Sequence, residues 1–210
     1  MIYGVKYWNK TGLRYTQNND SVEAIIKKIV AEKLNKLKSK LPVVYHKMID
    51  ELMGYLESCS SNSFCIILEG IGVIVKELRE FGLKVQWSDF FTNHANDPEY
   101  DSEYNNGLTM DNRDLHTWEK IAKKMGLETR YIREPQFTDI ATELMFGHGV
   151  MINFPGHYCA AIAYDGDTKE IIYMNPWNGD PRNKNGGTNE RINAAEWKEA
   201  EIRRALSIWR

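Results

Sequence analysis

Residues 59 to 72, CSSNSFCIILEGIG, set a cysteine and several small polar residues directly ahead of large aliphatics. Phe64, Ile67, Leu68, Ile71, Val75 and Leu78 recur at helical spacing, so this stretch predicts a helix with Cys59 in its first turn. Unpaired N–H groups and the positive end of the helix dipole favour a thiolate there. Cys65 is roughly 600° of helical rotation further on, points away from Cys59, and reads as a small core hydrophobe. A second chemical group is His157, which follows Pro155-Gly156 and opens the strand HYCAAIAY. The turn DGDTK and the strand EIIYMN complete a hairpin centred near Asp167. Its pairing puts His157 opposite Asn175 or Trp177, on one face at the open end, where an imidazole and a carboxamide can hydrogen-bond. Cys159 shares that strand face but is poorly placed to be activated by His157. A strand-edge histidine beside a solvated asparagine, and a structural cysteine at a helix start, are the plainer alternatives.

Other chemistries find little support. The acidic stretch NDPEYDSEYNNG alternates Asp97, Glu99, Asp101 and Glu103, but Ser102 stands where a calcium loop needs its glycine and Leu108 where it needs its closing glutamate. It reads as a solvated loop. His46, His94, His116 and His148 lack the companions of zinc motifs, and neither a phosphate-cradling glycine loop nor a GxSxG elbow occurs. No cofactor is expected. Three cysteines suit neither a disulfide framework nor a zinc knuckle.

The elements that would position these groups can be read along the chain. Residues 2 to 15 suggest short strands or an extended arm. DSVEAIIKKIVAEKLNKLKSKL predicts an amphipathic helix, capped by Asp20 or Ser21, with Ile25, Ile29, Leu34, Leu37 and Leu41 as its apolar stripe. Its lysine face, residues 27 to 40, reads as solvated, or as a dock for an anionic polymer. Pro42 starts a second helical pattern, and the cysteine helix is expected to run until Phe81-Gly82. Residues 92 to 113 read as a long loop. HTWEKIAKKMG and FTDIATELMFG predict helices, LETRYI and VMINF strands, and NGDPRNKNGGTN a loop before a C-terminal helix or strand. Helices first and an antiparallel sheet after make an α+β fold.

With 210 residues, 42% of them hydrophobic, the chain can bury a core as one domain. A formal charge of −2 gives no global pull toward nucleic acid or anionic membrane. No apolar run approaches the roughly 20 residues of a spanning helix. The N-terminal residues lack the apolar stretch of a signal peptide, so synthesis in a cytosol is expected.

CSSNSFCIILEGIG, through Cys59, Ser63, Leu68 and Gly72, resembles the nucleophile helix of the double-glycine leader peptidase-like branch of the papain-like cysteine peptidases. GHYCAAIAYDG is similar to that branch's histidine strand, and YMNPW to the strand carrying the third residue, with Asn175 in that place and Trp177 two residues later as in papain. Gln17, in RYTQNND, resembles the upstream glutamine whose amide helps to bind the oxyanion. The resemblance implies a papain-like fold in which N-terminal helices pack on an antiparallel sheet. It would be a single domain over residues 1–210, with a helical insertion at about 20–56 between Gln17 and Cys59. It also implies a cysteine hydrolase with catalytic residues Cys59, His157, Asn175 and Gln17. The expected substrate is a peptide or peptidoglycan, by likeness to phage and bacterial lysins, with action at the bacterial cell wall. A protein-directed protease or effector, or a catalytically silent binding or phage structural module, are the alternatives.

Overall fold

The computed structural model describes residues 1–9, 30, 32–46, 59–73, 78–80, 83–85, 115–177 and 180–210. Gln17, the Asp20 or Ser21 cap, Ile25, Ile29, most of the second helical pattern and the stretch 92–113 lie outside the described residues. Of the expected insertion, residues 32–38 are helical, with Leu34 half-buried and Leu37 exposed. Pro42 is followed by a single 3-10 turn, Val43–Tyr45, with all three side chains exposed.

Strand β1 (Ile2–Gly4) precedes helix α1 (Cys59–Gly70), and a small antiparallel pair follows, β2 (Leu78–Glu80) and β3 (Leu83–Val85). Next come α2 (Leu115–Lys124), β4 (Glu128–Arg133), α3 (Phe137–Met145), β5 (Gly149–Phe154), β6 (His157–Asp165) and β7 (Glu170–Met174). The chain closes with β8 (Glu190–Ile192), α4 (Ala194–Glu199) and β9 (Arg204–Trp209). The main sheet is antiparallel throughout, in the order β4-β9-β5-β6-β7-β8. β1 pairs with the turn end of β6, Ile2 opposite Asp165 and Gly4 opposite Ala163, continuing the edge that β5 covers only as far as Ala161. The mixture of helices with an antiparallel sheet is the α+β class.

Both faces of the sheet are covered. α1 and α2 pack on one, where Phe64, Ile67 and Trp118 meet Met151, Ile162 and Leu206. α3 and α4 cover the other, where Ile140, Leu144 and Trp197 meet Val150, Ile152 and Tyr173. The sheet is therefore a middle layer, not a floor beneath helices on one side.

The cysteine helix ends sooner than its periodicity predicts. Gly72, at φ 83°, receives the chain in the left-handed region. Val73 N–H donates to Leu68 O at 2.8 Å and Gly72 N–H to Glu69 O at 3.0 Å, the paired bonds of a Schellman cap. A side chain at Gly72 would meet the Tyr7 ring at 2.9 Å, so the backbone conformation and the packing both demand glycine. Leu78 belongs to β2 instead. Apolar residues in the two elements happen to continue one helical spacing across the break.

Two features hold the layers in register. Gly149 lets α1 approach β5 closely: a Cβ there would lie 2.6 Å from Ile67 Cγ2 and 3.2 Å from Val5 Cγ1. On the other face, buried Glu143 accepts from Ser207 Oγ at 2.6 Å, His148 Nδ1 at 2.7 Å and Arg130 Nη1 at 2.7 Å, joining α3 to β9 and β4. Burial pushes its carboxyl up, but the bonds from Ser207 and His148 and the Arg130 charge outweigh that and hold the pKa below its ordinary 4.5.

Gly149→Ala should destabilise the fold by about 1–3 kcal/mol through overpacking, measured by denaturant unfolding. Because Glu143 has a lower pKa folded than unfolded, its contribution is complete above the ordinary carboxylate pKa. It is lost as pH falls through the folded value. Glu143→Gln should accordingly flatten the acid side of the stability-versus-pH curve, and a curve as steep as the parent's would show that Glu143 contributes nothing there.

Candidate functional site

Every residue of α1 except Glu69 is buried. The polar turn Ser60, Ser61, Asn62 and Ser63 goes inside with the aliphatics, which is costly unless hydrogen bonds compensate. Ser63 Oγ donates to the Tyr158 carbonyl at 3.1 Å, tying the first turn of α1 to β6 one residue from His157. The Ser60 hydroxyl is buried and makes no hydrogen bond among the described residues.

β6 and β7 separate at the other side of this point. Their pairing runs from Asp165–Glu170 to Ala160–Met174, with a bulge between Ala161 and Ala163. Continued at the register of Ala161–Tyr173, it puts His157 across from Trp177 and Cys159 across from Asn175, on one face. The chain turns away at Asn175, whose N–H donates to Gly187 O at 2.8 Å.

Asn175 Oδ1 lies 2.7 Å from His157 Nε2 and also accepts from Trp177 N–H at 2.9 Å. Its Nδ2 donates to Asp180 Oδ2 at 3.0 Å and to Asn183 Oδ1 at 2.8 Å. The neighbours thus determine the amide orientation, the oxygen faces the ring, and Nε2 is the donor. Cys159 and Cys59 lie near enough to the imidazole to act on its charge. Cys159, expected to be poorly placed for activation by His157, is buried, and its thiol pKa is raised on balance.

The electrostatics follow from this arrangement. Burial of His157 opposes its positive charge, but the neighbouring Cys159 and Cys59 groups outweigh it and hold the pKa well above the ordinary 6.5. Burial pushes the Cys159 thiol up, and His157 only partly offsets that. Asp180 Oδ2 is 4.0 Å from His157 Nε2. Burial raises the Asp180 carboxyl, yet the bonds from Arg182 and Asn175 leave it below its usual range. The Trp177 ring meets the imidazole edge-on, centroids 6.0 Å apart at 70°.

Cys59, His157 and Asn175 are thus brought together; Gln17 is not among the described residues. Asp180, Arg182 and Asn183 are the additional members, from a segment whose Gly and Asn content reads as plain loop. The available signal was Asp-Pro-Arg five residues beyond Asn175, a carboxylate and a guanidinium close enough to pair. Among the described residues no group of His, Cys, Asp and Glu could hold a metal ion, and no helix is long and apolar enough to cross a membrane. An open cleft lined by Glu134, Phe137, Trp197 and Lys198 contains none of these residues. No family model matches the chain, and no curated protein matches it.

The three thiols should differ in reactivity. All three thiols are buried, so labelling reads which of them the protein both exposes in solution and activates. Iodoacetamide near pH 6, well below the ordinary thiol pKa of about 8.5, should label Cys59 first, because Cys59 alone of the three both opens the described part of α1 and lies beside His157. Cys65 and Cys159 should react only on unfolding. Mass spectrometry showing three equally inert thiols would remove Cys59 as a nucleophile.

Proposed function

We propose that the protein is a cysteine hydrolase of papain-like type that cuts peptide or amide bonds, with Cys59 as nucleophile. The observation that carries this reading is one buried imidazole that holds the Asn175 carboxamide at 2.7 Å and has the Cys59 thiol among the groups that raise its pKa. Nucleophile, base and orienting group in that order are what thiol-based acyl transfer requires. The Cys59 thiolate attacks the carbonyl carbon, and the oxyanion is held by the N–H groups at the start of α1, with Gln17 as the second donor implied by the resemblance. The carbon–nitrogen bond breaks as His157 gives its proton to the leaving amine. Water, deprotonated by His157, then cleaves the thioester to a carboxylate and restores the thiol. Asn175 keeps the ring oriented throughout.

The substrate class favoured is bacterial cell-wall peptide, on the likeness to lysins. A protein-directed protease uses the same machinery. A different reading, a catalytically silent module, is favoured by one observation: Cys59 is 0% exposed and His157 5%. A carbonyl reaches the sulfur only if Cys59 becomes accessible, which the enzyme reading requires and the silent reading does not.

Incubation with purified peptidoglycan and with a panel of peptide amides, scoring newly released amino groups, separates the readings. The wild type should release amines, and Cys59→Ala should abolish release without loss of the fold. No release from any substrate, together with an unlabelled Cys59, would leave the silent module standing. Asn175→Ala should slow turnover while Asn175→Asp retains much of it, since a carboxylate can accept the same imidazole hydrogen. Gln17→Ala should slow acylation about a hundredfold while leaving Cys59 alkylation unchanged, because the amide acts on the substrate oxygen.

A further inference from the structure

Asp180 is a buried carboxylate that the hydrolase reading does not use. Its side chain is 0% exposed, and it gathers donors from two directions. Arg182 gives it the backbone N–H at 2.9 Å, Nε at 2.8 Å and Nη2 at 2.6 Å, and Asn175 gives it Nδ2 at 3.0 Å. Arg182 is held in turn over the Phe154 ring, 5.1 Å from its centroid. A carboxamide rotated by half a turn is nearly isosteric, so packing alone does not choose which end of Asn175 meets the histidine. Charge does. With the amide reversed, its oxygen would face the Asp180 carboxylate, and its NH₂ would face the Trp177 N–H and the His157 N–H. Asn183 strengthens the choice, because its own Nδ2 donates to Trp177 O at 2.8 Å and so presents oxygen to Asn175.

We propose that Asp180 is a positioning residue: it locks the Asn175 carboxamide with oxygen toward His157, and places a negative oxygen 4.0 Å behind the imidazole, with Arg182 tempering that charge. The consequence for turnover rests on the hydrolase reading; the geometry does not. Among the described residues, the charged or titratable groups around the ring are Cys59 from α1, Cys159 on β6 and Asp180 from the loop after Asn175. Arg182 stands behind Asp180. Tyr173 on β7 is kept neutral by burial, which pushes its phenol up. Glu190 on β8 is engaged elsewhere, accepting from the N–H groups of Lys184, Asn185 and Gly187. Asp180 is thus the carboxylate positioned to favour the imidazolium, and an opposite charge at such a distance shifts a titration appreciably.

Nitrogen-detected NMR of the His157 ring, which reads tautomer and titration together, tests the assignment in Asp180→Asn and Arg182→Gln. Asp180→Asn should reduce the imidazolium-to-imidazole ratio at a given pH about tenfold and weaken the preference for hydrogen on Nε2. Arg182→Gln should move the titration the opposite way, because Asp180 loses its counter-charge. A residue that merely props the loop would lower the melting temperature and leave ring titration and tautomer in place; that result in both variants overturns the proposal. Where Asp180→Asn does not fold, an unchanged or downward shift in Arg182→Gln overturns it alone. Iodoacetamide labelling of the parent reads the other question: an inert Cys59 with the ring titration shifted as expected sinks the hydrolase and leaves Asp180 in its role.

Discussion

The hydrogen bond from His157 to Asn175 is the constraint around which this end of the molecule is arranged. A buried imidazole with an unanswered N–H would cost on the order of 1–3 kcal/mol, and a buried imidazolium considerably more. The protein answers Nε2 with a carboxamide, Asn175, that is itself 1% exposed and must be satisfied in its turn. That demand propagates to Trp177, Asp180 and Asn183, and through Asp180 to Arg182. Each added member exists to satisfy the one before, until the chain of bonds ends on a guanidinium that is partly in solvent. The Gly- and Asn-rich segment is folded tightly because it carries this polar network, with Glu190 gathering three of its N–H groups.

The other half of the site obeys a related constraint. α1 buries four consecutive polar residues, so it cannot be placed by hydrophobic matching alone. Its lower part packs through Phe64 against Trp118, ring centroids 4.7 Å apart, and through Ile67 against the Cα of Gly149. Its upper part is aligned by Ser63 on the Tyr158 carbonyl. Two registers, one apolar and one polar, therefore bring Cys59 to the ring.

Much of this was legible in the sequence where one local rule dominated. Short apolar runs bounded by turn residues mark β5, β6 and β7, and helical spacing closed by glycine marks α2 and α3. The hairpin register put His157 opposite Asn175 or Trp177, and the structure has it on Asn175, while Cys59 was joined to them only through the family resemblance. The even register that puts His157 and Asn175 on one face holds only at the open end, because the bulge near Ala161 absorbs one residue. What stayed hidden depends on partners remote in sequence. The end of α1 is decided by Tyr7 against Gly72, not by the apolar spacing that runs on to Leu78. The place of β9 between β4 and β5 has no local signature. The place of Asp180 depends on a turn whose composition resembles any polar loop.

The sheet pairs Ile2 with Asp165, and the Ser63 hydroxyl on α1 donates to a carbonyl 95 residues later. β9, the last strand, is inserted between β4 and β5. Contacts of such sequence separation form late, because loop closure must precede any gain from pairing. A chain still emerging from the ribosome holds its first two cysteines long before it holds His157, and the sheet cannot close until the final strand is made. Cys59 therefore comes to His157 and Asn175 only as the sheet is completed, and the polar network around Asn175 forms with it.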